Sequence, residues 1–256
     1  MTDVELNYEI SGVQDAPALL MSGSLGTTLQ MWHLQVPKLS EEHRVIRFDH
    51  RGHGGSPVVP GPYSIADLGG DVVALMDRLE LESASYCGLS LGGMVGQWLA
   101  INAPDRLERL VLISTAAYLP PADSWRERAA TVRQAGTPVA IADAVLTRWF
   151  TPDYFEANPI AIKRFREMLS SVSAEGYAGC CEAIADMDLR AGLPDITAPT
   201  LVMVGIQDPA TPPDYAREIA DNVPDARLKE LEPGAHLLNI ERATDVTKLI
   251  AHFTEA

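Results

Sequence analysis

One octapeptide constrains this chain more than any other stretch: Tyr86-Cys87-Gly88-Leu89-Ser90-Leu91-Gly92-Gly93. It continues the run Ala84-Ser85 and leads into Met94-Val95-Gly96-Gln97-Trp98-Leu99-Ala100. It reads as the end of a buried strand, one exposed serine, and the start of a helix. A serine at the tip of so sharp a turn is pushed towards a strained backbone with φ > 0. Its near neighbours must then be almost free of side chain, because a Cβ there would collide with the strand or the helix. Gly88 and Gly92 meet that demand, and Gly93 lets the helix lie close to the sheet. Ser90 is the candidate nucleophile. The amide of Leu91, at the helix N-terminus, points where a negative oxygen would form on an attacked carbonyl. The plainer alternative is a glycine-rich turn whose serine merely caps a helix.

Around this turn, short apolar runs alternate with helical patterns. Val4, Leu6, Tyr8 and Ile10 alternate with polar residues, as an edge strand with one buried face would. Ala18-Leu19-Leu20-Met21, Arg44-Val45-Ile46-Arg47-Phe48, Leu110-Val111-Leu112-Ile113, the run from Thr200 to Gly205 and residues 228–231 read as further strands. After Ser64, apolar residues at Ile65, Leu68, Val72, Met76 and Leu79 keep helix spacing, and Pro104 closes the helix that follows Ser90. Further helices are expected from Pro213 to Asn222 and from the loop at His236 to Phe253. Strands and helices in alternation predict an α/β fold: a mostly parallel sheet with right-handed crossovers and helices on both faces. The strand pattern stops between residues 116 and 195. That region reads as helical and is punctuated by Pro120, Pro121, Pro138, Pro152 and Pro159. It is expected to form a helical lid, or cap, inserted over the strand ends, with residues 1–115 and 196–256 forming the core. A chain of 256 residues suffices for one such domain.

Charge narrows the partners. The formal net charge is −15, which argues against nucleic acid and anionic membranes, since both need a basic footprint. An anionic substrate would be repelled by the global field and would need a local arginine or lysine in its pocket. No apolar run approaches the roughly 20 residues of a membrane span. Met1-Thr2-Asp3-Val4-Glu5 is acidic and lacks the apolar stretch of a signal peptide. The three cysteines, Cys87, Cys180 and Cys181, form neither a disulfide framework nor a zinc spacing. A reduced, cytoplasmic protein is the expectation.

Serine is a poor nucleophile until a base takes its proton and an acid orients that base. In parallel sheets such groups gather at the carboxyl ends of the strands. Of six histidines, only His236 lies in a loop after the last strand. His33 follows Trp32 at a helix start, His252 is on the final helix, and His43, among Glu41, Glu42 and Arg44, reads as solvated. Asp208 follows the strand ending at Gly205, whereas the strand at 110–113 ends in Ser114-Thr115 with no acid. Ser90, Asp208 and His236 are the candidate triad. The plainer alternatives are a turn residue before Pro209 and a surface-loop histidine. After the strand ending at Met21, the loop Ser22-Gly23-Ser24-Leu25-Gly26-Thr27 can present Ser24 or Leu25 as a second oxyanion donor. His50 and His53, in Asp49-His50-Arg51-Gly52-His53-Gly54-Gly55-Ser56, invite a metal or general-base reading. With no third ligand at helix spacing, a turn fixed by polar side chains is preferred.

These pieces resemble the α/β-hydrolase superfamily over essentially the whole chain, including its order of serine, then acid, then histidine. More narrowly, the chain is similar to the 3-oxoadipate enol-lactonases of aromatic degradation. That likeness rests on Ser24-Leu25-Gly26-Thr27 with Met31-Trp32, on Ala142-Asp143-Ala144-Val145-Leu146-Thr147-Arg148-Trp149-Phe150, on Glu175-Gly176-Tyr177, on Cys181-Glu182-Ala183-Ile184 and on Asn239-Ile240-Glu241-Arg242-Ala243. Gly23 stands where that family tends to have asparagine, and Leu237-Leu238 where a smaller polar pair is expected. The resemblance implies a cofactor-free and metal-free serine hydrolase acting on a small anionic lactone.

One feature of the expected lid bears on such a substrate. On a helix, Ile141, Val145 and Trp149 share a face, and Arg148 falls within that apolar stripe. A charge there needs a partner, which a salt bridge or a snorkelling stem would supply. The sharper reading gives Arg148 to the substrate carboxylate and Trp149 to an apolar wall. Other reactions on the same triad stay open: a general carboxylesterase, a C–C bond hydrolase or a perhydrolase. So does a ligand receptor without turnover. A homo-oligomer is compatible with the sequence.

Overall fold

Strands without a polar side have no face to offer water, so they must lie between two layers. The computed structural model, which describes residues 4–255, is built in that way. The acidic start read at residues 1–3 lies outside the described residues. In chain order the core runs β1 (Tyr8–Ser11), β2 (Ala18–Ser22), α1 (Val36–Leu39), β3 (Arg44–Phe48), α2 (Ile65–Arg78), β4 (Ala84–Leu89), α3 (Leu91–Asn102) and β5 (Leu107–Ile113). The sheet order is β1-β3-β2-β4-β5 and continues through two later strands, β6 (Thr200–Gly205) and β7 (Ala226–Leu231). Only the β1–β3 pairing is antiparallel among the described strands. Every residue of β2, β4 and β6 is buried, which requires cover on both faces.

The register brings the site together. Ser22 pairs with Gly88, Leu89 with Ile113, and Ile113 with Met203. The carboxyl ends of β2, β4, β5 and β6 are therefore nearly level, and the loops that follow them open along one edge.

Between β5 and β6 the chain leaves the sheet for α4 (Ala122–Ala135), α5 (Ala142–Trp149), α6 (Pro152–Ala157), α7 (Pro159–Ser171) and α8 (Ala174–Asp186). Arg133 of α4 binds Glu175 and Glu182 of α8, clamping those two helices. Ser173 ties the insertion to the core, since its amide and hydroxyl both donate to the carbonyl of Gly52, at 3.2 and 3.0 Å. After β6 come α9 (Pro213–Asn222), β7, α10 (Leu238–Glu241) and α11 (Ala243–Thr254).

Several expectations need correction. Val4 and Leu6 are buried but precede β1, which begins at Tyr8, and Ile10 is 42% exposed, so the edge strand is shorter than its alternation implies and has no buried residue. The strands read at 110–113 and 228–231 begin earlier, at Leu107 and Ala226, and the final helix breaks at Arg242. His43 is not solvated. It is buried, with its ring nitrogens 3.3 Å from the carbonyls of Leu39 and Thr254, so α11 closes over it despite its charged neighbours in sequence.

Candidate active site

Ser90 sits between β4 and α3 at φ 57° and ψ −112°. Its amide donates to Ile113 at 2.9 Å, and its carbonyl accepts from the amide of Met94 at 3.0 Å and the hydroxyl of Thr115 at 2.8 Å. The strained conformation is thus held from three sides. A Cβ on Gly88 would overlap the backbone of Gly92, and one on Gly92 would overlap the carbonyl of Ser22. Only glycine allows strand, turn and helix to approach this closely. The Leu91 amide meets no acceptor among the described residues.

Asp208 and His236 are joined. His236 Nδ1 donates to Asp208 Oδ2 at 2.9 Å, and both side chains are buried. The Thr211 hydroxyl donates to the same oxygen at 2.8 Å, while Oδ1 accepts the amides of Ala210 at 2.8 Å and Thr211 at 3.0 Å. Asp208 is therefore both a turn residue and the partner of the histidine. With its Nδ1 proton committed to the carboxylate, His236 presents Nε2 as a proton acceptor. Ser90 and His236 line one cavity.

The histidine loop is held by groups that sequence reading missed. Gly234 and Gln207 exchange hydrogen bonds at 2.9 and 3.0 Å, and the Leu237 amide donates to Trp149 of α5 at 2.9 Å. Glu241 receives the Ala235 amide on one carboxylate oxygen. Its other oxygen receives the amide and hydroxyl of Thr151 at 2.7 and 2.8 Å. Glu241 thus couples the residue before His236 to the helical insertion. Thr211 carried a local signal, three residues after Asp208, where an aspartate-led turn closes. Glu241 stood only within a stretch that carries the resemblance, with no role attached, and Thr151 carried no signal.

In the loop after β2, the Ser24 amide is engaged by the sulfur of Met31, 3.3 Å away, whereas the Leu25 amide is not engaged by an acceptor of the described residues. The loop hangs on the two histidines that tempted a metal reading. The Gly26 amide donates to His53 Nε2 at 3.1 Å, and His50 Nε2 lies 2.9 Å from the Ser22 hydroxyl. Burial lowers the His50 pKa to about 3 and that of His53 to about 4, so both are neutral. Asp49 ties the same region by accepting the amides of Leu29 at 2.6 Å and Gly55 at 3.0 Å. Among the described residues, no group of three His, Cys, Asp or Glu side chains is gathered as a metal would need. No helix there is long and apolar enough to cross a membrane.

The cavity at Ser90 and His236 measures about 50 Å³ and is walled by Leu25, Met94, Val145 and Trp149. Trp149 is buried and packs edge-to-face on Phe165 with ring centres 6.1 Å apart. Arg148 is not within the buried stripe. It is exposed, has no ion pair among the described residues and lines the cavity. A second cation, Arg128 of α4, lines the same cavity and was not anticipated. An outer hollow of about 540 Å³ shares Arg128, Arg148, Leu119, Trp125 and Ala210 with the inner cavity.

The sequence model of the alpha/beta hydrolase fold matches residues 17–243. The chain is 44% identical over 241 residues to 3-oxoadipate enol-lactonase 2 of Acinetobacter baylyi, covering 94% of this chain and 89% of that protein. The crystal structure of the enol-lactonase from Burkholderia xenovorans LB400 superposes with a TM-score of 0.95 at 45% identity, over 98% of this chain and 96% of that one. A thermophilic esterase from Thermogutta terrifontis, solved with malate bound, superposes with a TM-score of 0.92 at 30% identity, over 97% of this chain and 92% of that one. A mostly parallel sheet, a strained serine between strand and helix and these full-length likenesses agree: the chain belongs to the α/β-hydrolase fold family.

Proposed function

We propose that this protein is a serine hydrolase that opens 3-oxoadipate enol-lactone to 3-oxoadipate, in the cytoplasmic catabolism of aromatic compounds. The observation that carries the reading is His236, bonded to Asp208, sharing a cavity with Ser90 and with Arg148, which holds no carboxylate of the described residues. The 44% identity to an enol-lactonase supports the choice of substrate. Residues 116–195 act as the lid over this site.

The chemistry follows from the groups present. His236 Nε2 takes the proton of Ser90 as the serine oxygen attacks the lactone carbonyl. The amides of Leu91 and Leu25 stabilise the oxyanion. The ring C–O bond breaks, and the leaving enolate takes the proton from His236 and relaxes to the ketone. Water then gives a proton to His236 and attacks the acyl-enzyme, which releases the acid and restores the Ser90 hydroxyl. Asp208 holds the imidazole in its working tautomer and stabilises the imidazolium. Arg148 binds the substrate carboxylate, with Trp149 as the apolar wall beside it.

The test is loss of the enol-lactone followed by ultraviolet absorbance, corrected for spontaneous hydrolysis, with wild type and Ser90→Ala in parallel. Rapid loss with wild type and none above background with the variant is the expected result. If wild type spares the lactone but cleaves an activated ester through Ser90, the protein is a carboxylesterase and the lactone assignment falls.

A further inference from the structure

We infer that Arg128 is a second substrate-recognition cation, and that Arg128 and Arg148 together select lactones and esters bearing a carboxylate remote from the reacting carbonyl. The inference rests on the reading of Ser90 as the nucleophile, and it defines the substrate class that this site accepts.

Three observations support it. The first is pairing. In the same insertion, Arg126 binds Asp123 and Asp186, Arg133 binds Glu175 and Glu182, and Arg166 binds Asp143. Arg128 and Arg148 hold no carboxylate among the described residues, although the chain carries 35 acidic residues against 20 lysines and arginines.

The second is preorganisation. The Arg128 guanidinium lies over the ring of Trp125, 4.6 Å from its centre. The two residues are three apart on α4, a spacing that brings side chains together. The Trp125 indole N–H is itself pinned to the carbonyl of Leu119 at 3.0 Å. The guanidinium also interacts with the buried Tyr177 hydroxyl, and with five N–H groups it has others left to meet a carboxylate. Arg128 is half-buried and lines the cavity.

The third is position. The inner cavity of about 50 Å³ has room for about one or two waters, less than a lactone needs. A bound substrate must extend from Ser90 towards the outer hollow, and both arginines line both spaces. The reacting carbonyl then lies at Ser90 while the far end of the molecule passes the two cations. In a protein of net charge −15, this local pair offsets the field that would otherwise repel an anion.

The experiment uses the full-length enzyme and two matched esters, para-nitrophenyl hydrogen glutarate and para-nitrophenyl pentanoate, in which a methyl group replaces the carboxylate. The readout is the ratio of their kcat/KM values. Wild type is expected to favour the anionic ester. Arg128→Gln should lower the ratio by roughly tenfold or more, as for loss of a charged hydrogen bond, mainly through KM of the anionic ester. Arg128→Lys should recover part of it. A wild-type ratio at or below one overturns the proposal without any variant. So does a ratio that Arg128→Gln leaves within about twofold, or a loss equal for both esters, which is what a purely structural role would produce. If Arg128→Gln does not fold, Arg128→Lys and the wild-type ratio still decide. Failure of the lactone assay leaves the ester ratio readable, so the two readings fail separately.

Discussion

The amide of Gly26 donates to Nε2 of His53 at 3.1 Å, so the loop carrying Leu25 hangs on a neutral imidazole. Burial lowers the His53 pKa from 6.5 to about 4, and that of His50 to about 3. A histidine with a depressed pKa in the folded state binds its proton more readily when unfolded, so folding is favoured above the unfolded value. Stability should be full above about pH 6.5 and fall as pH drops towards about 4, with His53 alone accounting for about 3 kcal/mol. Urea midpoints measured across that range would show the slope. Stability that is flat through it would mean that His53 is not held neutral.

Asp208 accepts from the His236 ring and from three neighbouring donors. In Asp208→Asn an amide N–H₂ can face Nδ1 and favour the wrong tautomer. The expected result is a fall in kcat of about 10⁴ with little change in KM, measured on an activated ester. A kcat within a few-fold of wild type would remove Asp208 from the mechanism.

Glu241 gathers the Ala235 amide and both donors of Thr151. Glu241→Gln puts a donor against a donor on one side. It should cost about 2 kcal/mol, lower Tm by about 4–8 °C and reduce kcat through the loosened His236 loop. Calorimetry with steady-state kinetics tests the pair of effects. A Tm drop with unchanged kcat would restrict Glu241 to a structural role.

Gly88 and Gly93 both let α3 lie against the sheet, and neither should tolerate a larger residue. A methyl group at Gly88 meets backbone of α3, so Gly88→Ala should cost about 3 kcal/mol or more and reduce soluble yield. At Gly93 the added carbon would lie 2.6 Å from Cβ of buried Thr115, an atom fixed to its own backbone, and the Thr115 hydroxyl holds the Ser90 carbonyl. Gly93→Ala should therefore cost about 1–3 kcal/mol and lower kcat as well. A wild-type denaturant midpoint and kcat in Gly93→Ala would contradict this.

The turn at Ser90 was readable because its demands are local. A positive φ flanked by glycines is a property of adjacent residues. The meeting of Asp208 and His236 was readable only through strand order, since each residue alone looked like an ordinary loop residue. His43 was misread because its sequence neighbours are charged while its spatial neighbour is α11. Arg148 was noticed through helix periodicity, but Arg128 was not, because α4 and α5 meet the same cavity from separate stretches of chain.

By itself, then, the sequence determined the alternation of strands and helices, the strained serine and the loops that carry its candidate partners. Steric limits and apolar runs act between residues close in the chain, and they leave a visible pattern. Only the tertiary structure decided which amide of the loop after β2 meets the Met31 sulfur, which arginines lack a carboxylate and how Glu241 reaches Thr151, 90 residues away. Those outcomes depend on distances between segments that meet only after the sheet has formed and the helical insertion has packed against it.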